Sequence, residues 1–243
     1  MKPIVQLRTK YVVLVAASFL LASVSLWAKP KPSDDTDIAK RLRSATDVLD
    51  EVMSAPDKGI PEEVLRDAKC IAVIPSMIKI AVGFGGHYGK GIATCRTGNA
   101  WSAPAPILMT GGSWGLQFGG EAVDLVLLVM NQKGMDHLLS SKFTLGVDGS
   151  VAAGPIGRHV AGSTDWKMKS EVLAYSRARG VFAGIDLHGS AIKQDRDETA
   201  VLYGRVVPFS SILHGEVPPP KQAQTFLATV QKYTSASSTS QGA

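Results

Sequence analysis

Residues Gly111 to Gly115, Gly-Gly-Ser-Trp-Gly, match the Gly-x-Ser-x-Gly spacing that lifts a nucleophilic serine on a sharp strand-to-helix turn. Ser113 would attack an acyl carbon, with a later acid and histidine completing the relay. Asp165 or Asp186, followed by His188 or His214, stand in the required order. The elbow also needs a helix behind the serine. Here Gly119 and Gly120 follow closely, in a stretch that reads as β. The expectation is a glycine bend in a sheet with no catalytic residue, and a serine hydrolase using Ser113 stands as the alternative.

Metal and phosphate chemistry find weaker support. His87, His137, His159, His188 and His214 are scattered, without a pair at metal-ligand spacing. Asp186 and His188 share a strand face, but solvated or hydrogen-bonded histidines are the preferred reading, so no metal or cofactor is expected. The run GFGGHYGKG from Gly83 fits neither Gly-x-Gly-x-x-Gly nor the P-loop pattern, and it reads as strand and tight turn. Cys70 and Cys95, the two cysteines, sit at the edges of adjacent strand-like runs. In an exported chain such a pair reads as a disulfide worth about 3 kcal/mol; in a reducing compartment it reads as two buried thiols.

A third chemistry is electrostatic. Lys40, Arg41 and Arg43 lie in a segment whose Ile38, Leu42, Ala45, Leu49, Val52 and Met53 recur at helical spacing. Such a helix can lie on an anionic membrane with its apolar stripe inserted. Interspersed acids, among them Asp47, Asp50 and Glu51, favour packing the stripe on the protein's own sheet. Arg177, Arg179, Lys193 and Arg196 form a looser basic set, expected to be solvated.

The N-terminus bears on where this chemistry takes place. Lys2, Arg8 and Lys10 precede an apolar run from Tyr11 to Ala28 that ends in small residues, the pattern of a cleaved secretory signal. A retained inner-membrane anchor over 11–28 is the alternative. Cleavage leaves 23 of the 26 basic residues against 21 acidic ones, so the net charge falls from +5 to +2. A global field for nucleic acid is not supported. The expected location is periplasmic or secreted.

The elements that would position these groups follow from periodicity. After a polar linker over 29–37, a helix runs from Ile38 toward Pro56, and Pro61-Glu62-Glu63 opens a shorter one. From Cys70 the pattern turns to glycine-cut apolar strands: CIAVIP, MIKIAVGFG, GIATCR, PILMT and EAVDLVLLVMN. A short helix over Gln132–Ser141 precedes further β. LAYSRARGVFAGIDLHGSAIK reads as a hairpin, Asp195–Tyr203 as a helix, Pro208–Pro220 as loop, and Lys221–Tyr233 as a terminal helix before a disordered tail. The predicted fold class is α+β: a bent, glycine-rich antiparallel sheet able to close partly into a barrel, with N-terminal amphipathic helices and short peripheral ones. The domain is placed over 38–211, with 212–243 as a C-terminal extension.

IPEEVLRDAKCIAVIP, GFGGHYGKGI, WSAPAPILMTGGSWGLQFGGEAVDLVLLVMN and YSRARGVFAGIDLHGSAI, with Tyr203-Gly204, together resemble the SYLF domain over about Ile38 to Gly204. The resemblance implies phosphoinositide and membrane binding, partly through an N-terminal amphipathic helix, and actin binding as in yeast relatives. It makes Ser113 part of a structural signature and directs attention to Lys40, Arg41 and Arg43 as lipid contacts. A signal sequence and the lack of an attached SH3 or FYVE module depart from the eukaryotic pattern, so a generic anionic lipid is the safer expectation than phosphoinositide or actin. The alternative is a structural or protein-interaction module of the cell envelope.

Overall fold

A computed structural model of the chain describes residues 36–54, 59–82, 84–114, 119–140, 142–155, 170–178, 181–183 and 187–235. The apolar run at 11–28, most of the linker before Thr36, Asp165, Asp186, Arg179 and the tail from Ala236 lie outside them. Helix α1, Asp37–Ser54, begins where the Thr36 hydroxyl accepts the Ala39 N–H at 3.3 Å, satisfying one of the helix's unpaired first-turn donors. Helix α2, Glu62–Asp67, starts after Pro61, as a proline at the N-terminal boundary favours.

The strands are longer than the glycine punctuation implies. β1 runs unbroken from Cys70 to Val82, and β2 from Phe84 to Thr97, joining segments that the sequence separates. Pro75 and Ser76 are absorbed as a bulge between Ile74 and Met77, where β1 gains one residue against both neighbours. Ser76 takes a positive φ of 49°, and its N–H donates to the Asp124 carboxylate at 2.9 Å. Gly91 of β2 makes the curl feasible: a Cβ there would stand 2.4 Å from the Val73 carbonyl oxygen.

β3 (Ala100–Trp101), β4 (Ala105–Trp114) and β5 (Gly119–Val129) follow, and then α3 (Gln132–Leu139), β6 (Lys142–Thr144) and β7 (Val151–Ala153). β8 (Val172–Ala178) pairs with β9 (Val181–Ala183) as the expected hairpin. β10 (Ala191–Gln194) leaves that hairpin and joins β4 and β6 instead. The main path is β6-β10-β4-β2-β1-β5-β8-β7, a curled half-barrel in which the terminal strands β6 and β7 are not paired to each other. Pairing is antiparallel except between β7 and β8, so the sheet is mixed where the sequence predicted an antiparallel one. A parallel neighbour needs a long crossover rather than a tight turn, and turn chemistry does not signal such a pairing.

Two cores lie on opposite faces. One holds Ile74, Met77, Ile107, Met109, Leu125 and Leu127 under Phe143, with α5 (Phe209–Leu213), a helix within the predicted loop. The other holds Ile71, Val73, Ile92, Val126 and Leu128 under α1, α2 and α6 (Gln224–Thr234). The terminal helix is thus part of the domain's packing: Phe226 and Val230 are each 1% exposed, and the Trp101 indole N–H donates to Thr234 Oγ1 at 2.9 Å. Helix α4, Arg196–Tyr203, is capped by Asp195, whose carboxylate accepts the Glu198 N–H at 3.3 Å. Among the described residues no helix is long and apolar enough to cross a membrane.

Candidate binding surface

Helix α1 carries the three predicted lipid contacts, and the fold separates them. Ile38, Leu42, Ala45, Leu49 and Val52 point into the second core, none more than 2% exposed. Releasing the stripe with Val48 would return five large aliphatic side chains to water, about 8–15 kcal/mol at 1.5–3 each. That equals the whole stability of an ordinary domain. Insertion into lipid would recover much of it but leave Val73, Val126 and Leu128 bare. In this structure α1 can therefore offer a membrane only its polar side.

Lys40 and Arg43 lie on that polar side, one helical turn apart and exposed. Arg41 does not. Its guanidinium is buried and donates to Asp195 Oδ2 and Glu198 Oε1, each at 3.2 Å. Lys90 stands 3.7 and 3.5 Å from the same two oxygens. Two cations and two carboxylates thus form a neutral cluster joining α1, β2 and the start of α4. Sequence reading missed it because its members are far apart in the chain; the visible trace was Asp195 and Glu198 at cap spacing.

Arg43 lines a groove of about 320 Å³ between α1 and α6, floored by Leu42 and Phe226 and edged by Thr46, Asp47 and Thr225. Hydroxyls and one guanidinium over an apolar floor can hold a small anionic group, with the Asp47 carboxylate at the same edge. Farther along α1, Glu51 pairs with Arg177 of β8, tying down one member of the looser basic set.

Ser113 lies within β4, with Gly85 as its partner on β2. Gly115 falls outside the described residues, and the next described element is β5, a strand. The first glycine of the motif has a packing role. His87 reaches across Gly111 so that its Nε2 lies 2.7 Å from Ser190 Oγ, both side chains buried. A Cβ on Gly111 would stand 2.3 Å from His87 Nε2. This His–Ser pair is sealed in the sheet, out of reach of a substrate.

The other candidates are dispersed. His137 Nε2 lies 3.7 Å from the buried carboxylate of Glu171, which Lys133 also meets at 2.8 Å, and His188 is exposed on a turn. Among the described residues no three His, Cys, Asp or Glu side chains converge as a ligand set. Cys70 and Cys95 face each other in register across β1 and β2, with their sulfurs at bonding distance. Burial pushes the phenols of Tyr175 and Tyr203 well above the usual tyrosine range, and the Tyr203 hydroxyl donates to the Pro104 carbonyl at 2.7 Å.

The architecture is an α+β half-barrel with α1, α2 and α6 on one face of the sheet and α3 and α5 on the other, and with Arg43 at a shallow groove between α1 and α6. The comparisons place it. The profile described as "Ysc84: Las17-binding protein actin regulator" matches residues 110–233. The chain is 32% identical over 204 residues to the mouse SH3 domain-containing YSC84-like protein 1, covering 83% of this chain and 59% of the relative. It is 34% identical over 203 residues to Protein YSC84 of Saccharomyces cerevisiae, covering 82% of this chain and 43% of that protein. LAS seventeen-binding protein 3 of the same yeast is 36% identical over 168 residues, or 68% of this chain and 36% of the relative. The chain belongs to the Ysc84, or SYLF, family. It spans about three-fifths of the length of the mammalian relatives it matches.

Proposed function

We propose that the chain is an exported, non-enzymatic binding module that docks on anionic lipid. The observation that carries this reading is the polar side of α1: Lys40 and Arg43 stand a turn apart, and Arg43 lines the groove against α6. Attraction of about 1 kcal/mol per basic residue near an anionic surface gives weak, salt-sensitive binding. Arg41 takes no part in the contact; it holds the helix in place.

Co-sedimentation with phosphatidylglycerol-containing vesicles tests the proposal. Binding should exceed that to neutral phosphatidylcholine vesicles, fall with salt and weaken in Lys40→Glu with Arg43→Glu. Equal binding to both vesicle types at low salt refutes it. Labelling by a fluorophosphonate that disappears in Ser113→Ala would instead establish a hydrolase.

A second reading, a protein-interaction module, is favoured by the burial of the α1 stripe and by relatives named as Las17-binding proteins. Salt-resistant co-sedimentation with actin filaments, without preference for anionic vesicles, would select it.

A further inference from the structure

The face covered by α1, α2 and α6 continues beyond them. Lys90 of β2 opposes Leu108 of β4, Leu108 opposes Lys193 of β10, and Lys193 opposes Lys142 of β6. Two residues along β2, Tyr88 opposes Ile78 of β1. Directly opposed residues share a face, as do residues two apart in a strand, so a lysine row runs beside an Ile–Tyr pair. The intervening positions Met109, Ile192 and Phe143 are buried in the core on the other side, which fixes the outward direction of the lysines.

Ile78 is 49% exposed and Tyr88 46%, two of five large apolar side chains exposed among the described residues. Lys193 and Lys142 are exposed, and Lys90 is partly neutralised by Asp195 and Glu198. Two acids border the face: Asp148 of the β6 turn, which accepts the Thr144 N–H at 2.7 Å and lies within electrostatic range of Lys142, and Asp124 of β5, which accepts the Ser76 N–H. An aliphatic–tyrosine pair bordered by lysines suits a bilayer interface: the ring and the aliphatic side chain enter the headgroup layer while ammonium groups meet lipid phosphates. A two-fold contact between copies centred on the same pair would bring like-charged rows together, so charge complementarity selects an anionic membrane.

We propose that this sheet face, with Ile78 and Tyr88 inserted and Lys193 and Lys142 on phosphate, is the apolar-anchored part of the membrane contact. It rests on the lipid-binding reading above and supplies the insertion that α1 cannot.

The test uses the untruncated protein and vesicles with and without phosphatidylglycerol; the neutral vesicles set the baseline from the apolar run at 11–28. Ile78→Ser with Tyr88→Ser should lower partitioning onto anionic vesicles about tenfold or more, as should Lys193→Glu with Lys142→Glu. Unfolding midpoints identify variants that fail to fold. As an independent readout, tryptophan in Ile78→Trp should gain quenching by brominated phosphatidylglycerol over brominated phosphatidylcholine. Sheet-face variants that bind as the parent does, with no such gain, overturn this surface. If Lys40→Glu with Arg43→Glu meanwhile loses binding, the lipid reading survives alone. No preference of the parent for anionic vesicles refutes both, and actin-filament binding lost on changing Ile78 and Tyr88 would assign the face to protein.

Discussion

Replacing Arg41 by methionine keeps an apolar stem in the core but removes the charge that faces two buried carboxylates. Asp195 and Glu198 are 8% and 11% exposed at their side chains, and each accepts one guanidinium N–H at 3.2 Å. Removing one partner of a buried pair costs 3–5 kcal/mol, because the carboxylates stay desolvated and unpaired. Lys90, already 3.5–3.7 Å away and 39% exposed, can move closer and take up part of the loss. The expected cost is therefore about 3 kcal/mol, at the low end of that range. For a domain of this size it lowers Tm by about 6–12 °C. Urea unfolding with a fitted slope measures it directly. The combination of Arg41→Met, Asp195→Asn and Glu198→Gln should recover part of the loss, since asparagine can still cap α4 and the one charge that remains, on Lys90, is 39% exposed and can be solvated. A single variant within about 0.5 kcal/mol of the parent would refute this account of the cluster, since surface changes alone fall in that range. So would lost vesicle binding at unchanged stability, which would return Arg41 to the lipid contact.

Gly111→Ala should cost about 2 kcal/mol by overpacking, since its Cβ would displace His87 from Ser190; stability equal to the parent would show that the sheet yields there at no cost. Phe226→Ala should cost about 3–5 kcal/mol in the same denaturation assay, a loss expected only if α6 is part of the cooperative core. In protein isolated from an oxidising compartment, reducing agent should lower stability by about 3 kcal/mol for the 25-residue separation of Cys70 and Cys95, and thiol titration should find no free cysteine before reduction. The phenols of Tyr175 and Tyr203 are held neutral when folded, so above pH of about 10 the unfolded chain sheds protons that the folded chain keeps. Stability should be level through neutral pH and fall above that point, with part of the phenolate absorbance at 295 nm emerging only on unfolding.

Much of the scaffold was legible because local physics decides it. The 3.6-residue recurrence from Ile38 to Met53, the helix read over Asp195–Tyr203 and the apolar strands from Cys70 onward each became the element they predict. Where the reading differed, distant contacts were responsible. Pro75-Ser76 looks like a strand end, but the Ile74–Met77 bulge absorbs it because Asp124 accepts the Ser76 N–H. Phe209–Leu213 looks like loop, but Ile212 and Leu213 fill the first core. β10 left its sequence neighbours for β4 and β6, a pairing between segments far apart in the chain rather than across a turn.

The serine motif and the basic helix show the same division. Sequence context alone argued against a nucleophile at Ser113, because glycine-rich strand surrounds it; the reason for glycine at 111 needed His87 and Ser190 brought together across 103 residues of chain. Spacing alone placed Lys40, Arg41 and Arg43 on one helix. Which cations meet solvent depended on where two carboxylates 154 and 157 residues away from Arg41 came to rest. Periodicity fixes which residues share a face, since it is a property of the backbone. Only the packed structure fixes what that face meets, because burial and charge pairing are set by parts of the chain that local sequence cannot sense.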